Sequence, residues 1–179
     1  HRSSHAVADP ARRPAHEAIA DPKTPPQTLM IVQTPDYLET IGQPVLLGRG
    51  FDEPDGDPGK ETAIVTREFA ARFWPDQLAI GQRFRFVQDE KPGAWMTVVG
   101  VCADVVQSPQ ETNAPPLAYV THRQEPWSWM TLVLRTTGDP PPLARAVRET
   151  VQKVDADLPL FNVRTLPQAI ERQIWFLKV

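Results

Sequence analysis

The side chains best placed to do chemistry lie in one acidic, turn-rich loop, FDEPDGDPGK at positions 51–60. It offers Asp52, Asp55 and Asp57 and closes on Lys60. Two kinds of site use such a loop, and the spacing fits neither. A phosphate-cradling loop needs glycine six positions before the lysine and Ser or Thr just after it. Here those positions hold Pro54 and Glu61. A calcium loop needs acids at alternate positions followed by glycine, and Asp52, Asp55 and Asp57 do not alternate that way. The histidines offer no better set. His1, His5 and His16 sit in the N-terminal stretch without acids or thiols at ligand spacing, and His122 stands outside it with no serine nucleophile motif nearby. Asp104, alone on an apolar stretch, reads as an edge or capping carboxylate. Cys102, inside VVGVCADVV, reads as a small buried hydrophobe with no cationic neighbour to activate it. No catalytic residue, no cofactor-binding residue and no metal ligand is assigned.

Two further patterns invite a binding reading. The run RFRFV at 83–87 alternates strictly. Arginine interleaved with aromatics is found on single-strand nucleic-acid surfaces, but strict alternation puts Phe84 and Phe86 on one face and Arg83 and Arg85 on the other. That is the pattern of a half-buried strand. Trp127 and Trp129 share a strand face and could form a contact patch or part of the core. The chain carries a net charge of −3, with 19 Lys and Arg scattered along it. A nucleic-acid binder shows a basic face instead, so no nucleic-acid partner is expected.

The elements that must hold these residues follow from periodicity. Residues 1–27 show no strand period and are expected to form a flexible N-terminal segment. A strand at 28–32 leads to a short helix, with Thr34 capping, Pro35 in its first position and Gly42 as a left-handed stop. A strand at 45–47 follows. Residues 62–65 form a β-branched strand, and Thr66 caps the helix at 67–74, whose buried stripe is Phe69, Ala70 and Phe73. Residues 95–106 form the most apolar strand, in which Gly100 permits a bulge or close approach. Further strands are expected at 117–120, 127–135 and 160–164. Asp139 caps a long helix with Leu143, Val147, Val151 and Val154 on one stripe. A capping box at Thr165 and Gln168 opens a last helix with Ile170, Ile174 and Leu177 inward.

This order predicts an α+β fold: a split-βαβ, ferredoxin-like, porter-type lobe with an inserted mixed α/β lobe. The porter-like lobe is drawn from 28–48 and 127–179, and the inserted lobe from 49–126. Twenty prolines cluster between elements and mark the turns. At 179 residues, 41% of them hydrophobic, the chain can bury a core. A single cysteine excludes an internal disulfide, and no apolar stretch approaches the roughly 20 residues of a membrane helix. The chain starts at His1 and stops within an apolar helical pattern, so both ends are expected to be cut from a longer protein.

Three separated motifs carry a family resemblance: TPDYLETIGQPVLLGRGFDEPD, AIVTREFAARFWPDQLAIGQRFRF and VVGVCADVVQ. Over about residues 28–174 the chain resembles the periplasmic core domain of MacB-type ABC transporter permeases, the FtsX/MacB-type permease family, and especially the large soil-bacterial members. The resemblance implies a non-enzymatic domain on the periplasmic side of an inner-membrane protein, with one transmembrane helix before it and three after. It implies as partners those flanking helices, a second permease copy and, indirectly, a cytoplasmic ATPase subunit, with a periplasmic adaptor protein as a further candidate. ATP-driven helix movement would be passed to this domain for substrate export or partner engagement. The alternative is a stand-alone extracytoplasmic ligand- or protein-binding module; a hydrolase ranks last.

Overall fold

A computed structural model of the chain describes residues 4–8, 28–88, 91–105, 114–126 and 130–169. The chain divides into two compact units, His1–Val133 and Leu134–Val179.

The first unit is built on a mixed sheet of eight strands among the described residues. Two of its interior strands are β4 (Thr62–Thr66) and β8 (Leu117–Thr121), and every residue of both is buried. They pair antiparallel, with Ile64 opposite Tyr119. On the far side of β8, β2 (Leu29–Gln33) pairs parallel. On the far side of β4, β7 (Met96–Cys102) pairs parallel. The other edge of β7 is shared. Its first residues take β5 (Arg83–Gln88), and its last take β3 (Val45–Gly48). β5 carries β1 (Ser4–Ala8) on one side and the two-residue β6 (Lys91–Pro92) on the other. The strand Ser4–Ala8 was not expected in a segment read as flexible; its backbone completes the ladder of β5. The expected front unit, strand–helix–strand, hydrogen-bonds into the same sheet as the strands of 62–121.

Strand alternation divides the buried residues between the two faces of the sheet. Ala63, Val65, Ala118 and Val120 belong to one cluster, with Phe84, Phe86 and Val98. Ile64, Leu117 and Tyr119 belong to the other. Helix α2 (Arg67–Phe73) brings Phe69 and Phe73 to the first cluster. There Phe69 meets Phe73 at 4.4 Å and Phe84 at 4.9 Å between ring centroids, and Trp74 meets Phe84 at 6.2 Å. Helix α1 (Tyr37–Ile41) brings Leu38 to the second, joined by Phe51. Cys102 sits in this second cluster as a fully buried thiol. Desolvation pushes its pKa up to about 11.

The caps agree in part with the sequence reading. Thr66 Oγ1 accepts from the Phe69 amide at 3.4 Å, as expected. It also accepts from the Leu117 amide at 3.1 Å and donates to the Leu117 carbonyl at 3.3 Å, tying the helix start to the neighbouring strand. Asp104 performs the capping role read for it, accepting from the Glu68 amide at 2.7 Å and pairing with Arg67 at 3.0 Å. Thr34 does not cap α1. The N-cap is Asp36, without a side-chain cap bond, because Pro35 and Asp36 form a turn closed by the Tyr37 amide on the Thr34 carbonyl at 3.1 Å. Gly42 is left-handed, φ 74°, as expected.

Gly100 bears out the close approach. A Cβ there would lie 2.3 Å from the Arg49 carbonyl oxygen. The β4–β7 register also skips at this point, from Ala63 opposite Val98 to Ile64 opposite Gly100, which is a bulge at Val99.

The second unit contains α3 (Pro140–Val154), with proline in its first turn. Asp139 occupies its N-cap without a side-chain bond. Leu143, Val147 and Val151 are half-buried, and Val154 is exposed. Thr165 and Gln168 form the expected reciprocal capping box, at 3.0 and 3.4 Å. No strand forms among described residues 130–136 or 158–165, where two were expected: Leu134, Leu158, Phe161 and Val163 alternate or repeat in sequence but remain exposed. A β pattern needs a paired edge to satisfy its backbone. Trp127, Trp129, Ile170, Ile174 and Leu177 lie outside the described residues.

Candidate interaction site

The acidic loop is fixed by ionic and steric contacts. Arg49 follows β3 and turns its guanidinium onto Asp55, with Nη1–Oδ2 at 2.5 Å and Nη2–Oδ1 at 3.1 Å. This two-pronged pair is the strong form of arginine–carboxylate contact. The Asp52 amide donates to Asp55 Oδ2 at 2.7 Å, and the Asp52 carboxylate reaches Arg49 Nη1 at 3.1 Å. Asp55 is only 5% exposed. Burial alone would push its carboxyl up; the Arg49 hydrogen bond, the Asp52 amide and the Arg49 charge outweigh that and hold it below the usual carboxylate range.

The rest of the loop is held against the end of β8. Gly56 has φ +85°, and a Cβ there would lie 1.9 Å from Thr121 Oγ1. Asp57 pairs with Arg123 at 3.2 Å. Just beyond, the Gln124 side chain clamps the start of β4: Nε2 donates to the Thr62 carbonyl at 2.9 Å and Oε1 accepts from the Thr62 amide at 3.1 Å. The carboxylates singled out in the sequence are thus brought together, but Asp55 is consumed by Arg49 and Asp57 by Arg123. No group of three His, Cys, Asp or Glu suited to a metal forms among the described residues. His122 is exposed in the turn after β8, with its amide on the Gln33 carbonyl.

Beside this loop lies an open hollow of about 500 Å³. Arg49, Lys60, Glu61, Arg83 and Trp95 are among its lining residues. On β5 the alternation places Phe84 and Phe86 in the core, as expected. The opposite face is less simply solvated than the pattern suggested. The Arg83 and Arg85 guanidinium carbons stand 5.7 and 4.6 Å from the Trp95 ring centroid, within the range of cation–π attraction. Sequence reasoning missed Trp95 because it lies beyond a turn, in the residue just before β7. The pairing of Arg83 with Thr97 and of Phe84 with Met96 is what brings it alongside.

A mixed sheet with few helices and a locked acidic loop defines the class as an α/β domain without a catalytic constellation among its described residues. Residues 6–150 match the family model of the MacB-like periplasmic core domain, and the chain belongs to that family. In structure it is similar to the periplasmic region of MacB from Actinobacillus actinomycetemcomitans, with a TM-score of 0.51 at 11% identity. That match covers 86% of this chain and 64% of the other, so the chain spans less than two-thirds of that periplasmic region. At this identity the likeness concerns the fold. A second likeness is to the extracellular domain of the noncanonic ABC-type transporter YknZ from Gram-positive bacteria. There the TM-score is 0.37 at 18% identity, over 67% of this chain and 52% of that one. No curated protein matches the chain. No helix among the described residues is long and apolar enough to cross a membrane.

Proposed function

We propose that this domain is a passive mechanical part of an ABC transporter permease of the inner membrane, on the periplasmic side. Membrane helices of the same polypeptide would flank it, and a cytoplasmic ATPase would supply the motion. Two copies would work side by side, opening and closing against each other or against a periplasmic adaptor, to expel a substrate. The family match over residues 6–150 carries this reading.

The physical character of the first unit supports it. A part that transmits force must not deform internally, and close-packed interiors transmit strain. Here both faces of the sheet are packed, and β4 and β8 are buried throughout. The loop after β3 is held to the sheet by the Arg49–Asp55 pair and the Asp57–Arg123 pair. The porter-like lobe of 28–48 with 127–179, and the inserted lobe of 49–126, are part of the same proposal and rest on element order.

Two measurements test it. Reporters active only outside the cytoplasm, inserted in the full-length gene product within the 56–59 turn, should be active, and cytoplasm-only reporters silent; the reverse result refutes the localisation. Paired spin labels on two copies of the full-length permease should then change separation on ATP binding by its ATPase. A fixed separation across the hydrolysis cycle refutes the mechanical role while leaving the localisation standing.

A further inference from the structure

The hollow beside the acidic loop has a charge balance that its own residues leave open. Arg49 is committed to Asp52 and Asp55. Arg83 and Arg85 are not committed in this way. Neither forms a hydrogen bond or ion pair with another described residue, and both rest on the Trp95 ring. Arg85 Nε is buried without a hydrogen-bond partner among the described residues. Two residues apart on one strand, their side chains leave the same face roughly 7 Å from each other. Like charges at that spacing repel, and a half-buried guanidinium without an acceptor forfeits hydrogen bonds it would make in water. Arg49, Arg83 and Lys60 line the hollow itself, against two carboxylates: Asp55, which Arg49 takes up, and Glu61, which feels the Arg83 charge; Arg85 reaches it only through the shared Trp95 ring. Glu61 accepts from the Gly59 amide at 3.0 Å.

We propose that Arg83, Arg85, Trp95 and Lys60 form a binding shelf for an oxyanion, either a carboxylate or a phosphate group of a small ligand. The guanidinium fork matches both heads with two parallel hydrogen bonds. The indole fixes the forks in place before the ligand arrives, so little side-chain freedom is lost on binding. Lys60, on the loop that Arg49 and Asp55 hold in position, supplies a point charge at the rim. The shelf is independent of any transport role: it needs only this loop and the β5–β7 corner.

The test is calorimetric titration of the 179-residue chain with inorganic phosphate and, separately, with glutarate, against sodium chloride at matched ionic strength. Amide and indole N–H spectra are followed in parallel. Saturable binding of at least one anion is expected, with the Trp95 indole signal shifting along the same isotherm. Saturation by phosphate alone assigns a phosphoryl head; saturation by glutarate alone assigns a carboxylate head. Arg83→Gln and Arg85→Gln should each weaken binding about tenfold or more, the usual worth of a charged hydrogen bond. Arg85→Lys keeps the charge without the fork and should fall between. Arg145→Gln, on α3, should change nothing. Each variant is checked for an unchanged far-UV circular dichroism spectrum. No saturable binding of either anion overturns the proposal. So does binding that survives Arg83→Gln/Arg85→Gln in a folded double variant.

Discussion

Replacing Arg49 by alanine should harm the fold more than replacing Asp55, the carboxylate it neutralises. The two ends of the pair differ in exposure: the Arg49 side chain is 45% accessible and that of Asp55 5%. Without Asp55, the guanidinium can turn to water and to Asp52, and the loss is that of a charged hydrogen bond shared with solvent, about 1.5 kcal/mol. Without Arg49, a buried carboxylate loses both guanidinium bonds and its counter-charge while keeping the Asp52 amide. Breaking a buried pair in this direction costs about 3–5 kcal/mol, and the half-open Arg49 end places this case near 3. For a chain of this size that corresponds to roughly 6–12 °C in Tm, against about 3–6 °C for Asp55→Ala. The pH dependence gives the sharper sign. The folded pKa of Asp55 is depressed, so its stabilisation is complete above the unfolded value of about 3.9 and is lost as pH falls through the folded value. In Arg49→Ala burial raises that pKa instead, so the orphaned carboxylate takes up a proton as pH falls. The difference between wild type and Arg49→Ala should therefore shrink from pH 7 to pH 4. Urea unfolding followed by circular dichroism at both pH values measures it. Equal losses for the two alanine variants, or a difference that grows on acidification, would refute the reasoning.

Three further outcomes follow from the packing. Gly100→Ala forces a Cβ against the Arg49 backbone carbonyl and should cost about 1–3 kcal/mol by overpacking, read as a lower urea midpoint, whereas Gly50→Ala, with open space around it, should shift that midpoint by less than half as much. Thr66→Val removes the α2 cap and both bonds to Leu117, for about 2 kcal/mol, and hydrogen exchange should quicken at the Phe69 and Leu117 amides together. Cys102, buried and with its pKa pushed up to about 11, should resist iodoacetamide at pH 8 until denaturant is added; labelling of the native chain within minutes would contradict its burial.

The alternating and apolar runs of residues 29–121 revealed β4, β5, β7 and β8 and the inward faces of Phe84 and Phe86, because strand period and burial are local consequences of residue order. Thr66 was legible as a cap for the same reason, since it meets the Phe69 amide three residues on. Asp104 was legible only as an edge or capping carboxylate, and which helix it caps, 36 residues back at Glu68, was set by the pairing of β7 with β4. The strands expected at 127–135 and 160–164 were misjudged among the residues described, because alternation states a capacity to pair and not the presence of a partner. Thr34 failed as a cap because the turn at Pro35 and Asp36 delays the helix by two residues. The candidate site was the least legible part. Its acids were conspicuous, yet Asp55 proved to be a structural counter-ion, and Trp95, read only as the first residue of a strand, carried no sign of the two arginines it meets.

Sequence alone determined that Phe84 and Phe86 face inward and Cys102 is buried, where α2 and α3 begin and, through three motifs, the family to which the chain belongs. Tertiary structure alone decided that Arg49 reaches Asp55, that Gly56 leans on Thr121 and that two arginines share one tryptophan. The reason is physical: periodicity acts between neighbours along the chain, whereas charge neutralisation and ring stacking depend on which strands lie side by side, and strand order is set by the packing of the whole sheet.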